Sequence, residues 1–232
     1  MTPLLQGLVD DAGLFPPAWL PMDEALQRFR ATQHAMLSGR FLCPGNRVGE
    51  LLDVLDGPIE LHLVGDDAVE LPDHPDVVVR AVELRSGVMP EIPCYVEGVP
   101  PSALAGTGVF GKLRCGGARI PAVEEVASYV TECARLGLPF KGTAGMHAAV
   151  RGWEETNGQP HHGYLNVLLA VSRALSGGDV EAAVASTDAE ALASEALLVD
   201  GDLAAATRGL YHSYGSCDTT RPVEDARRLG LA

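Results

Sequence analysis

The sequence predicts an α/β fold, a (β/α)8 TIM-barrel-like domain of irregular form with a helical insertion before its last strand. Eight short apolar runs alternate with helical patterns, as a parallel sheet with helical crossovers requires. The 232 residues suit one domain spanning 1–232. No Gly-x-Gly-x-x-Gly follows the first run, which weighs against the alternative, an open parallel α/β sheet built to bind a dinucleotide.

The first run is Gly7 to Asp11. A helix is expected over Met22 to Leu37, where Ala25, Leu26, Phe29, Met36 and Leu37 make an apolar stripe. Arg40 to Cys43 is the second run, stopped by Pro44 and Gly45, and a short helix over Val48 to Leu55 follows with Asn46 as its cap. Ile59 to Val64, Val77 to Leu84 and Cys94 to Glu97 alternate as half-buried strands do. Only Ser86 to Pro93 separates the last two of these. That is too short for a helical crossover, so either the connection is abbreviated or one run is not a barrel strand.

Val109 to Cys115 is closed by Gly116 and Gly117. The helix after it has Pro121 in its first turn, Glu124 and Glu125 at its positive end and Gly137 beyond its last turn. Pro139 to Lys141 is the seventh run and Leu210 to Ser213 the eighth, with a closing helix over Val223 to Leu229. The helical insertion between them, about 160–208, is broken at Gly177-Gly178 and restarted by the capping-box pattern Thr187-Asp-Ala-Glu190. It is rich in alanine, and its expected role is packing or a homo-oligomer contact.

A net charge of -14 repels nucleic acid and anionic membranes, and leaves a small anionic substrate in a local positive pocket as the expected partner. Met1 to Pro21 has no basic stretch and carries Asp10 and Asp11, unlike a signal peptide, and no window approaches eighteen uncharged apolar residues. Five cysteines with no Cys-x-x-Cys spacing read as reduced thiols of a cytoplasmic protein.

Of 17 basic residues only two are lysines, Lys112 and Lys141. Strand alternation turns Lys112 and Arg114 to one face, Lys141 and Thr143 to one face, Tyr95 and Glu97 to one face, Glu83 and Arg85 together, and His62 inward. All fall late in their strands, at the carboxyl ends where parallel α/β proteins place active sites. An interior this charged is either an internal salt-bridge network, pairing Glu97 with Arg114 and Glu83 with Arg85, or a ligand site. Arginine makes the better structural pair, whereas lysine can lose its proton and attack a carbonyl. Lys141, with Gly142 and Gly145 leaving room beside it, is the expected nucleophile. Lys112 and Arg114 supply the cationic surroundings, and Glu97, or Tyr95 beside it, is the expected proton carrier.

The stretch Phe140-Lys-Gly-Thr-Ala-Gly145 resembles the Lys-Thr-Ser-Thr-Gly turn of deoxyribose-phosphate aldolases, class I barrel aldolases with a Schiff-base lysine. The resemblance covers six residues. Gly142 stands where that turn has Thr, and Lys112 precedes Lys141 where an aldolase's second lysine would follow. It implies an imine at Lys141, hence lyase chemistry with no organic cofactor.

Loops rich in small residues follow the sixth, seventh and eighth runs. Gly116, Gly117, Thr143, Gly145 and Ser216 are candidate phosphate or carboxylate contacts, with Arg221 nearby and Glu83, Arg85 and His212 completing the substrate set. Two rival readings stay open. In one, the lysines are fixed anion-binding charges while a carboxylate or His212 transfers protons. In the other, the barrel binds a small molecule without turnover. His147, His161 and His162 have no metal-ligand spacing, so no metal is expected.

Overall fold

In the computed structural model, which describes residues 1–154 and 158–232, eight parallel strands close into a barrel. In chain order the elements are β1 (Val9–Asp11), α1 (Met22–Ala31), β2 (Leu37–Pro44), α2 (Val48–Val54), β3 (Ile59–Gly65), β4 (Val77–Leu84), β5 (Cys94–Glu97), α3 (Pro101–Leu104), β6 (Phe110–Arg114), α4 (Val123–Leu136), β7 (Phe140–Thr143), β8 (Gly152–Glu154), β9 (Gln159–His161), α5 (Tyr164–Ser176), α6 (Val180–Ala185), α7 (Ala189–Leu198), α8 (Gly201–Leu210), β10 (Tyr211–Ser216) and α9 (Thr220–Arg228). Strands β1 to β7 pair in sequence order, and β10 closes the ring between β7 and β1. The fold is TIM-barrel-like, and the open-sheet alternative is set aside. The antiparallel pair β8–β9 is a separate hairpin in the segment after β7.

The barrel is abbreviated where the sequence suggested it. Among the described residues no helix joins β3 to β4 or β4 to β5. Instead the two connections tie to each other, with the N–H groups of Arg85 and Ser86 both donating to the Asp66 carbonyl. Helix α1 is shorter than its apolar stripe implied. It ends at Ala31, and the N–H groups of Gly7, Leu8 and Val9 donate to the carbonyls of Ala35 and Met36. Met36 and Leu37 fit a helical spacing but are claimed by the sheet, whose unpaired backbone groups next to β1 need partners.

Helix α4 begins at Val123, with Pro121 two residues before it. The Glu125 carboxylate accepts from the Ala122 N–H at 2.7 Å, and Gly137 in the left-handed conformation ends the helix. Helices α6, α7 and α8 each start behind an aspartate, Asp179, Asp188 and Asp200, whose carboxylate accepts a backbone N–H of the first turn at 2.9, 3.0 and 2.8 Å. The cap of α7 is thus Asp188 and not Thr187. Likewise α2 opens at Arg47, with no side-chain cap from Asn46. Helix α5 is buried on every side from Tyr164 to Ser172, so the helical segment is part of the barrel's packed outer layer.

The apolar core lies between the barrel's outer face and these helices, where Phe140, Tyr211 and Tyr214 are fully buried. Gly142 sits at a tight point of this core, against Met146, Tyr211 and Tyr214. A methyl group there would lie 2.5 Å from the Tyr211 hydroxyl oxygen and 3.1 Å from Tyr214 Cβ. Gly142→Ala should therefore cost about 1–3 kcal/mol in urea denaturation. An unchanged midpoint would mean that this contact relaxes freely.

Candidate active site

The barrel interior is filled with charge. Lys141 on β7 is wholly buried, and it reaches across the barrel to two carboxylates on strands that β7 does not pair with. It donates to Asp10 Oδ2 on β1 at 2.7 Å and, in a very short contact, to Glu83 Oε1 on β4. Asp10 also accepts from Ser213 at 2.6 Å, from Ser38 at 2.6 Å and from Arg40 Nε at 3.0 Å. The Glu83 carboxylate continues the chain. Its Oε1 lies 3.0 Å from His62 Nδ1, which must carry the proton because a carboxylate only accepts, and its Oε2 lies 3.0 Å from Lys112 Nζ.

Burial alone would push both carboxyls up. For Asp10 the Lys141 and Arg40 charges outweigh it, and for Glu83 the Lys141 and Lys112 charges do, so both are held well below the usual carboxylate range. Burial pulls Lys141 down, yet Asp10 and Glu83 outweigh it and the amine is held above the usual lysine value. Asp10, His62 and Glu83 offer ligand atoms within 4.8 Å of one another, a spacing that suits a cation, and the Lys141 ammonium lies among them.

Above this network, at the carboxyl ends of the strands, opens a cavity of about 740 Å³. Lys112, Glu83, Glu97, Arg114 and Arg85 line it, as do Gly116, Gly117, Thr143 and Gly145, so most of the expected site residues converge there. Gly116 and Gly145 pack backbone to backbone, since a Cβ on Gly116 would lie 2.9 Å from Gly145 Cα. Ala144 between Thr143 and Gly145 has φ 59°, an uncommon value for a residue with a side chain.

The expected pairings resolve unevenly. Glu97 and Arg114 do form a two-pronged ion pair, at 2.5 and 3.1 Å. Arg85 does not pair with Glu83. It lies beyond the end of β4 with Nε 3.3 Å from Asp66, while Glu83 is taken by the lysines.

Three expected site residues lie elsewhere. Lys141 does not line the cavity, because its ammonium is drawn down between Asp10 and Glu83. His212 is at the amino end of the barrel, against Tyr95 and Phe110. Its Nε2–H donates to the Gly209 carbonyl at 3.1 Å and its Nδ1 accepts from the Tyr95 hydroxyl at 2.6 Å, while burial lowers its pKa and keeps it neutral. Ser216 is fully buried beside the cavity wall, and its hydroxyl donates to the Asp218 carbonyl at 2.5 Å.

Of the three histidines, His147 and His161 line the cavity, whereas His162 is buried and donates from Nε2 to the Pro121 carbonyl at 2.8 Å. Ser38, Arg40 and Ser213 carry no signal in the sequence, whereas Asp10, with Asp11, reads there as either an acid/base group or the turn out of the first strand.

Removing the central cation tests the network. Asp10 and Glu83 titrate in the fold below their unfolded values, so their contribution is in place above about pH 4 and is lost as the pH falls through the folded values. In Lys141→Met the desolvation of two carboxylates is left uncompensated, which raises their pKa. Urea denaturation at pH 7 should show a loss of about 3–5 kcal/mol. The gap to wild type should narrow at pH 5 as those carboxyls take up protons; a gap independent of pH would mean that they stay charged without the lysine.

Comparison with protein-family models, with curated proteins and with solved structures gives no match, so the chemistry must be argued from this chain's own residues.

Proposed function

We propose that this protein is a lyase of the aldolase type, acting on a small anionic or phosphorylated carbonyl compound through an imine on Lys112. The observation that carries the reading is that Lys112 is the lysine lining the cavity, with its ammonium 3.0 Å from the Glu83 carboxylate. Lys141, its register partner on the neighbouring strand, is wholly buried and keeps its proton. The nucleophile expected at Lys141 is therefore assigned to Lys112, and Lys141 becomes the fixed charge that holds Glu83.

In the reaction the neutral amine adds to the carbonyl carbon and water leaves. The protonated imine has the same unit charge as the ammonium it replaces, so the ion pair with Glu83 persists through the covalent step. The iminium then draws the electron pair of the Cα–Cβ bond as it breaks, leaving an enamine on Lys112 while the β-hydroxyl gives up its proton and departs as the second carbonyl compound. Glu97, the register partner of Lys112 on β5, is the proton carrier once Arg114 turns to the substrate. Among the described lining residues Lys112, Arg85, Arg114 and Arg221 face Glu83, Glu97 and Asp218, a local cationic excess in a chain of net charge -14. That excess and the loops at Gly116, Gly117 and Gly145 favour a substrate with an anionic end. Five free thiols suit the reducing cytoplasm.

Borohydride reduction in the presence of a panel of aldehydes and ketones should add the mass of a reduced adduct at Lys112 and leave Lys141 unmodified. Lys112→Arg should abolish the adduct and lower turnover by at least ~10³-fold. Turnover that survives Lys112→Arg would favour the second reading, in which Lys112 is a fixed charge for the anion and a carboxylate moves the proton.

A further inference from the structure

Strand alternation stacks the barrel's interior in layers, and a residue two positions further along a strand stands one layer nearer the cavity. Asp10, Arg40, His62 and Ser213 belong to the buried polar network. The residues two places beyond them are Ala12, Leu42, Val64 and Gly215, and all four line the cavity. None of these has a polar side-chain atom. They also pack on one another, since a Cβ on Gly215 would lie 2.9 Å from Leu42 Cδ2 and 3.6 Å from Ala12 Cβ. On the other strands the same step keeps its polarity. Glu83 is followed by Arg85, Tyr95 by Glu97, Lys112 by Arg114 and Lys141 by Thr143.

The two groups are not interleaved. Around the ring β10, β1, β2 and β3 are consecutive neighbours, and so are β4, β5, β6 and β7. The strand ends therefore present an apolar arc facing a charged one. Phe15, Pro16 and Pro17, in the loop after β1, extend the apolar arc over the cavity. On the charged arc Arg85, Lys112 and Arg114 outnumber Glu83 and Glu97. Loop residues blur the division, with Ile120 after β6 and the ions Asp218 and Arg221 after β10. Asp218 is partly taken up locally, since its Oδ1 accepts the N–H groups of Thr220 and Arg221 at 2.8 and 3.2 Å.

We infer that the substrate is a carbonyl compound with two unlike ends, a carboxylate seated on the charged arc at Arg114 and an aryl or branched-alkyl group lying on Leu42, Val64 and Phe15. The inference rests on the proposed reading of this cavity as the substrate site, and it narrows that substrate to an amphipathic acid. Arg114 already holds one carboxylate in a two-pronged pair, that of Glu97, and the substrate's carboxylate takes the same fork. A compound of a few carbons would leave the apolar arc facing water in a cavity of about 740 Å³, a volume that suits a larger ligand. The opposite orientation is costly. An apolar group laid over the charged arc strips water from ions and gives them no partner, whereas on the apolar arc it sheds water from both surfaces.

The test is isothermal titration calorimetry of the whole protein with 4-phenylbutanoate and with butanoate, neither of which has a ketone or aldehyde to form an imine. 4-Phenylbutanoate should bind at least ~10-fold more tightly. Leu42→Asn should cut that ratio at least ~3-fold while butanoate keeps its affinity. Should Leu42→Asn fail to fold, Val64→Asn on the next strand carries the same comparison. Equal affinity for the two carboxylates, or a ratio that the folded variant leaves unchanged, would overturn the inference. The outcome is read apart from borohydride trapping at Lys112. A high ratio without an adduct sinks the imine and leaves the amphipathic site standing, and an adduct with equal affinities does the reverse.

Discussion

The carboxylate of Glu83 is the pivot of the barrel interior. One oxygen is bound by Lys141 and His62, and the other meets Lys112. Together with Asp10 it makes a chain of alternating sign, Arg40, Asp10, Lys141, Glu83 and Lys112, running from the amino end of the barrel to the cavity floor. Taking any one of these ions out of water is costly, and the chain is tolerable because each charge faces an opposite one and, at Asp10, further lone pairs accept hydrogen bonds. Ser38 and Ser213 serve that end at Asp10. Interiors of such barrels are ordinarily packed with branched apolar side chains. Here packing is replaced by electrostatics, and the gain is that Lys112 is held at one place in the cavity floor.

That chain separates two lysines whose backbones are register partners. Lys141 spans the barrel to β1 and β4, where the two carboxylates capture it, and so it acts on the cavity only through Glu83. Among the described residues Lys112 has one ion-pair partner, Glu83, and it lines the cavity. The same principle governs the histidines. His212 has both ring nitrogens committed at the amino end, whereas His147 lines the cavity with its Nδ1 3.1 Å from the Ser216 hydroxyl oxygen. In each case hydrogen-bond partners, rather than residue type, set which group is available for chemistry.

The amine of Lys112 thus lies in the cavity floor, while Cys115 and Cys217 belong to its wall. The amine is backed by its ion pair with Glu83, which in the proposed reaction an iminium of the same charge would keep. Under the proposed reading the arginines that line the cavity, Arg85, Arg114 and Arg221, suit a substrate with an anionic end.

Much of this was legible in the sequence because it rests on local rules. Alternation placed β3, β4, β5 and β6 and turned His62, Glu83, Glu97, Lys112 and Arg114 inward, and the glycine at 137 marked the end of α4. The rarity of lysine pointed to Lys112 and Lys141 before any coordinates. What stayed hidden depends on which groups meet across the barrel. Nothing along the chain brings Asp10 to Lys141, 131 residues away, or Glu83 to both lysines, and that encounter alone decides which amine is caged and which faces the cavity. Side-chain direction is a property of a few neighbouring residues; charge compensation in a low-dielectric interior is a property of the closed barrel, and only closure fixes it.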